Sequence, residues 1–334
     1  MTKEIFECKE SPYLSMSHGN AYLDDSLEFM RRMKKESVNL VFTSPPFPLN
    51  RKKKYGNTAE HDYVDWILPF CAEILRILKE DGSLVIDLGT TWMKGVPNRS
   101  LYDSRLLIAL VDQLKFNYCQ EIYWWNPSTL PSPAQWVTVQ KLRLKDSVNK
   151  ILWLSKNPYC KASNTRVLQP YSEDMEKVFE NKYGDTVQKR PSGHTVSPSM
   201  AKRNAGSIPS NILAIPNTNS RGNYFNYCKQ HAIAPHPARF PYELPEFFLR
   251  LLTDRNDLVL DPFGGSCTTG AVCEWNERQW ICVDNEESYL QGAEGHFTGM
   301  PSQPHYSRDY SLTKPKYVTT DDDDICILES NPAR

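Results

Sequence analysis

The sequence predicts an α/β protein with a parallel sheet. Two observations carry the prediction. Short apolar runs alternate with longer stretches of helical periodicity in the first 150 residues, and the pattern returns after residue 240. Near the end of that second block, "LVLDPFGGSCTTG" (258–270) reads as a strand, a tight glycine turn and a helix start.

"SVNLVFT" (37–43) is a buried strand. "YVDWILPFCAEILRILKEDG" (63–82) places Trp66, Ile67, Phe70, Ile74, Leu75 and Leu78 at helical spacing and stops at Asp81-Gly82. Pro69 inside it predicts a kink or a late start. "SLVIDLG" (83–89) is too short for a helix and reads as a strand. "SRLLIALVDQLKF" (104–116) is a helix, and "EIYWWN" (121–126) a strand. From about 156 to 235 the chain is rich in Pro, Ser, Asn and Lys/Arg with weak periodicity, so an irregular segment is expected. "ELPEFFLRLLTD" (243–254) is an amphipathic helix, and "QWICVDNEESY" (279–289) a strand ending in acids. Beyond about 298 core signals fade, and the tail "TTDDDDICILESNPAR" has the composition of a disordered segment.

Composition narrows the function classes. The 334 residues are 40% hydrophobic and 24% charged, with a net charge of −1. No global field draws the chain to a polyanion or a membrane. No apolar run approaches the roughly 20 residues that span a bilayer, and "MTKEIFECKE" lacks a signal-peptide core. Nine cysteines without CxxC pairing argue for reduced thiols inside a cell, with neither a disulfide frame nor a metal site. Charge is uneven, however. Residues 141–205 hold 13 Lys/Arg against 6 Asp/Glu. That excess is either a solvated irregular segment or a lobe facing nucleic acid. Its densest clusters are "KLRLK", with Lys141, Arg143 and Lys145, and "QKRPSGH", with Arg190 and His194.

Two motifs carry chemistry. In the first, Gly264 and Gly265 let backbone approach a ligand closely, and about twenty residues later a strand ends at Asp284, where nucleotide-binding α/β folds hold ribose hydroxyls. No lysine follows the glycines, so this is neither a P-loop nor the G-x-G-x-x-G fingerprint. An adenosine ligand without phosphates, such as S-adenosylmethionine, fits better. In the second, "TSPPF" (43–47), prolines end a buried strand in a rigid loop without donors. The Ser44 hydroxyl and the Pro45 carbonyl remain as acceptors for a group that donates hydrogens. An exocyclic amine of a base is such a group. Its lone pair is delocalised into the ring, and acceptors on its hydrogens would favour the pyramidal, nucleophilic form. Phe47 offers a stacking face for an extruded base.

Together "TSPPF", "WWNPSTLPSP" (124–133), "HPARFPYELPEFF" (236–248) and "DPFGGSCTTG" (261–270) resemble the DNA amino-methyltransferases, and among them the N4-cytosine-specific enzymes of restriction–modification systems. The resemblance covers roughly residues 18–292. It implies a circularly permuted doubly wound methyltransferase fold. Residues 1–155 would form the catalytic half, 156–235 the target-recognition lobe and 236–298 the cofactor-binding half, with 299–334 an acidic tail. Ser44, Pro45, Pro46 and Phe47 would be the catalytic loop, with Asp87 hydrogen-bonding into it or serving as an ordinary strand-end acid. Asp261, Phe263, Gly264, Gly265, Thr268 and Asp284 would line S-adenosylmethionine, beside His236, Pro237 and Phe240. Asp25 would face the cofactor or else cap a helix. Trp124 and Trp125 would stand beside the flipped base or in the core.

Cys267 departs from the family, which often has Gly or Asn there. The tail run at 321–329 resembles a SUMO-interacting motif. If it acts as one, the host is eukaryotic, the site is the nucleus, and the chain is the catalytic part of a longer protein bearing a chromatin-reading module. Otherwise a bacterial cytoplasm is implied. The implied partner is double-stranded DNA, without membrane or metal. The implied activity is methylation of cytosine N4. An adenine-N6 methyltransferase and a catalytically idle DNA or chromatin binder of the same fold are the alternatives.

Overall fold

The computed structural model describes residues 5–6, 11–48, 62–180, 188–189, 195–196, 203–218 and 222–298. Its strands are β1 (Leu14–Ser15), β2 (Gly19–Leu23), β3 (Val38–Thr43), β4 (Leu78–Leu88), β5 (Asn117–Trp125), β6 (Val148–Ser155), β7 (Gln188–Lys189), β8 (Thr195–Val196), β9 (Ile212–Ala214), β10 (Leu258–Asp261) and β11 (Gln279–Asp284). β7 and β8 pair only with each other, and the other nine form one sheet in the order β1-β2-β11-β10-β3-β4-β6-β5-β9. The helices are α1 (Ser26–Arg31), α2 (Tyr63–Ile77), α3 (Tyr102–Asp112), α4 (Glu173–Glu180), α5 (Asn223–Gln230), α6 (Glu243–Leu252), α7 (Thr268–Trp275) and α8 (Glu287–Leu290).

The sheet is mixed, which corrects the expectation of a parallel one. β2, β11, β10, β3 and β4 are parallel, but β6 runs antiparallel between β4 and β5. The cause is the connection from β5 to β6. It contains no crossover helix, so the chain turns back on itself and its two strands must pair antiparallel. The middle segment is also less detached than its composition suggests, because β9 pairs in parallel with β5 and forms the sheet edge.

Helix α2 buries Tyr63, Ile67, Cys71 and Ile74 and runs through Pro69. It ends at Ile77, earlier than the Asp81-Gly82 signal predicts. Leu78 already has extended backbone and pairs with Val38. The register slips before Leu40 meets Ser83, so "KEDG" forms an irregularity inside β4 and not a helix terminus. All six residues of β3 are buried, as a strand covered on both faces requires. On one face the core joins Phe29, Tyr63, Ile67 and Leu106 from α1, α2 and α3. On the other it joins Phe248, Leu252 and Val272 from α6 and α7 with Trp280. The helix after β3 and the helix after β10 therefore lie on opposite faces. The crevice where neighbouring strands send their helices apart opens at the carboxyl ends of β3 and β10, the usual ligand position in such sheets. No helix among the described residues is long and apolar enough to cross a membrane.

Candidate active site

The strand ends bring the two motifs into one cavity of about 350 Å³, shared by Ser44, Pro45, Pro46, Phe47, Asp87, His236, Pro237, Phe240, Phe263, Gly264, Gly265, Thr268 and Asp284. Ser44 leaves β3 and Asp87 lies one residue before the end of the neighbouring β4. Ser44 Oγ donates to Asp87 Oδ2 at 3.0 Å. Asn149 Nδ2, from β6, donates to both oxygens of the same carboxylate, at 2.9 and 3.2 Å. Asp87 is buried, and burial raises its pKa to about 6 against the opposing pull of the Asn149 and Ser44 hydrogen bonds. Asp87 is thus a braced acceptor that fixes the Ser44 hydroxyl proton and leaves the Oγ lone pairs for a donor in the cavity. Asn149 was not singled out in the sequence. Its only signal is an amide near the start of the strand "VNKILWLS".

The glycine turn is held by its acids. Gly265 N–H donates to Asp284 Oδ2 at 2.8 Å, and Glu286 N–H to Asp284 Oδ1 at 2.9 Å. Asn285 N–H donates to the same carboxylate, and of its roughly four lone-pair sites one stays open for a ligand hydroxyl. Burial raises the Asp284 pKa while these backbone donors oppose the rise. Gly265 has φ +51°, and a Cβ there would stand 3.2 Å from His236 Nε2. A Cβ on Gly264 would stand 2.9 Å from that of Cys282. Both glycines are therefore required by the cradle itself. Cys267 has φ +63°, a left-handed backbone that Gly or Asn adopts more readily. His236 packs edge-on against Tyr289, and Phe240 edge-on against Phe42.

Several expected residues stand elsewhere. Asp261 is 1% exposed and does not reach the cavity wall. Its oxygens accept from Thr43 Oγ1 at 2.8 Å, Thr269 Oγ1 at 2.6 Å and Phe263 N–H at 3.2 Å. It ties β10 to β3 and shapes the cradle from behind, and burial raises its pKa to about 6. Asp25 is the exposed N-cap of α1, accepting from Glu28 N–H at 3.0 Å. The next residue, Ser26, reaches the glycine loop, donating to Pro262 O. Trp124 lines the cavity with its indole N–H on Ile215 O at 2.8 Å, whereas Trp125 lies on the opposite side of the strand and lines no cavity described here. Arg143 binds a carbonyl of the connection between β4 and α3, Pro97 O at 3.0 Å, and Lys145 one of its own connection, Thr129 O at 3.1 Å. Lys141 is exposed at φ +56°. Arg190, His194 and the 321–329 run lie outside the described residues.

A second cavity of about 250 Å³ adjoins the first and shares Phe47, Trp124 and Asn149 with it. Phe47 is pressed onto β4, since a Cβ on Gly89 would fall 2.3 Å from its ring. It thereby forms part of both walls. Behind the glycine turn, His296 is stacked on Tyr224 at 4.4 Å, accepts or donates at Tyr242 Oη (2.6 Å), and reaches Ser266 Oγ at 3.1 Å. Burial lowers its pKa to about 3, so the ring is neutral. Sequence reasoning missed this network: Tyr242 and Ser266 lie inside the motifs, but Tyr224 and His296, which complete it, lie outside them. No group of three or more metal-ligating side chains occurs among the described residues.

Comparison with known proteins agrees with this geometry. The family model for DNA methylase, covering N6 and N4 methyltransferases, matches residues 38–295. The chain is 48% identical to the type II methyltransferase M.PvuII of Proteus hauseri over 298 residues, 89% of this chain and 88% of that protein. It is 26% identical to M.BamHI of Bacillus amyloliquefaciens over 81% of this chain and 55% of that one. Among solved structures, the cytosine-N4-specific PvuII DNA methyltransferase superposes with a TM-score of 0.72 at 41% identity, covering 89% of this chain and 92% of that chain. A Thermus thermophilus protein solved with S-adenosyl-L-methionine shares the fold, with a TM-score of 0.53 at 19% identity over 83% of this chain and 92% of that one. With the family model spanning residues 38–295 and 48% identity to M.PvuII over 89% of its length, the chain belongs to the DNA methylase family of N6 and N4 methyltransferases.

Proposed function

We propose that this protein transfers a methyl group from S-adenosylmethionine to the exocyclic N4 amine of a cytosine extruded from double-stranded DNA, inside the cell where its DNA lies. The observation that carries the conclusion is the Ser44–Asp87–Asn149 constellation facing the Gly264–Gly265 cradle across one cavity. The high identity to a cytosine-N4 methyltransferase favours cytosine over adenine. The residues present fit the cofactor: two glycines with no room for a Cβ, an acid with an open lone pair for a ribose hydroxyl, and aromatic walls from Phe263 and Tyr289. When bound, S-adenosylmethionine supplies an electrophilic methyl on a sulfonium.

The protein's own residues prepare the amine. Ser44 donates its proton to Asp87, so Oγ can only accept, and it accepts one N4 hydrogen while the Pro45 carbonyl accepts the other. Two in-place acceptors favour the pyramidal nitrogen whose lone pair is free to attack. These interactions strengthen as positive charge develops on nitrogen, which makes them transition-state interactions. The surplus proton passes from nitrogen to Ser44 Oγ as the serine proton passes to Asp87 Oδ2, or leaves directly to water. An Asp87 pKa near 6 makes it a competent acceptor at neutral pH. Phe47 and Trp124 supply aromatic walls on which a planar base can stack. Ser44→Ala tests the assignment. Single-turnover transfer should fall by about 10²–10³-fold, the range for losing one preorganised group, while cofactor and DNA affinities stay within about twofold. Unchanged transfer would remove Ser44 from the chemistry.

A further inference from the structure

Between β5 and β6 the chain leaves the sheet at Trp125 and returns at Val148, beside the second cavity. The excursion is a fixed object. Asn126 N–H donates to Ser147 O at 2.8 Å, Asp146 N–H to Ser132 O at 3.0 Å, and Leu142 N–H to Trp136 O at 2.8 Å. Arg143 and Lys145 add their bonds to Pro97 O and Thr129 O. On this scaffold residues 141–145 alternate cation and aliphatic: Lys141, Leu142, Arg143, Leu144, Lys145. Leu144 is 90% exposed and Leu142 52%, joined on the same excursion by Leu130 at 80%. Three aliphatic side chains this exposed on one excursion bury little in the core and are free to meet a partner. Thr129, Ser132 and Asp146 of the same excursion form part of the cavity wall that Phe47 and Trp124 complete.

We propose that Leu144 is an aliphatic wedge that enters the base stack of duplex DNA at the target pair and occupies the gap left by the extruded cytosine. The proposal rests on the methyltransferase reading above. Extruding a base leaves a void in the stack and an unpaired partner, and an inserted apolar side chain restores contact there. Charge decides the occupant. Three cations within five residues suit a polyanion and repel a second copy of the same strip. Leu144 is the most exposed of the aliphatics and stands between two cations whose head groups are tied to backbone carbonyls, so it projects from a rigid base. It acts on extrusion and not on the reacting atoms, which makes it a positioning residue.

The test compares wild type, Leu144→Ala and Tyr159→Ala in single-turnover methyl transfer. The substrates are a duplex that wild type is found to methylate and the same duplex with an abasic site opposite the target cytosine. Tyr159 is 92% exposed and lies after β6, at the end of the strands where Ser155 pairs with Ser83 and opposite to the end that carries Asp87, so it serves as the control. Leu144→Ala should lose about tenfold on the paired duplex, part of what unstacking a base costs, and lie within about twofold of wild type on the abasic duplex. Its melting temperature should not change, and Tyr159→Ala should match wild type on both substrates. Equal losses on both duplexes, or no loss on either, would overturn the wedge while leaving the methyltransferase reading standing. A wild-type dimer that Leu144→Ala dissolves would assign the strip to a second copy and overturn it as well. A wild type that methylates no DNA would instead overturn the reading beneath it.

Discussion

Asp87→Asn should make the protein more stable and less active, with the stability gain growing with pH. In the folded protein the Asp87 carboxyl titrates at about 6, against 3.8 for a free aspartate, because burial disfavours its charged form. The stabilisation carried by its protonated form is fully present below about pH 4 and is lost as pH rises through about 6. At about 1.4 kcal/mol per tenfold, the charged carboxylate costs about 3 kcal/mol at pH 8 and about half of that at pH 5. Asparagine has nearly the same shape and no charge. Its Oδ1 can accept from Asn149, and its Nδ2 donates to Ser44 Oγ. That reverses the polarity of the serine, which then presents a proton to the target amine where a lone pair is needed. Asp261, also raised to about 6, titrates identically in both proteins and cancels in the difference. Urea unfolding at pH 5 and pH 8 measures the gain, and single-turnover transfer measures the loss, expected at about 10²–10³-fold. A variant no more stable than wild type at pH 8, or one that keeps its rate, would refute the view that the site holds a costly carboxylate for the sake of serine polarity.

Other residues yield their own expectations. Asp284→Ala should weaken S-adenosylmethionine binding by about 1.5–3 kcal/mol, as for hydrogen bonds to a charged group; calorimetry giving wild-type affinity would remove it from the cofactor site. Gly265→Ala should cost about 1–2 kcal/mol of stability, because its φ of +51° disfavours a side chain and its Cβ would crowd His236; denaturant midpoints decide. Lys141→Ala should reduce the slope of log affinity for DNA against log salt by about one. An unchanged slope would place Lys141 away from phosphate.

The strands that carry the site were legible because each is a short apolar run ending in a polar residue: β3 before Ser44, β10 before Pro262 and β11 at Asp284. The pairing of their ends in one cavity followed from the fold class. What escaped reading is mostly non-local. The end of α2 was misplaced because Asp81-Gly82 looks like a terminus, yet pairing of Leu78 with Val38 claims that residue for β4. The antiparallel β6 and the edge strand β9 depend on where a long connection returns, which no local pattern encodes. Asp261 and Asp284 both end strands next to the glycine turn. Only contacts distinguish the acid consumed by Thr43 and Thr269 from the one left open to the cavity. Asp25 likewise shows its N-cap role through a bond to Glu28 N–H. Asn149 and His296 lie far along the chain from the groups they support, so a single sequence gives little reason to choose them.

The most direct measurement is the identity of the methylated nucleoside. DNA incubated with the protein and S-adenosylmethionine carrying a deuterated methyl group would be digested to nucleosides and analysed by mass spectrometry, with Ser44→Ala in parallel. Deuterated N4-methyldeoxycytidine should appear with wild type and be strongly reduced with the variant. Label in N6-methyldeoxyadenosine or in 5-methyldeoxycytidine, or N4-methyldeoxycytidine formed equally well without the Ser44 hydroxyl, would contradict the account.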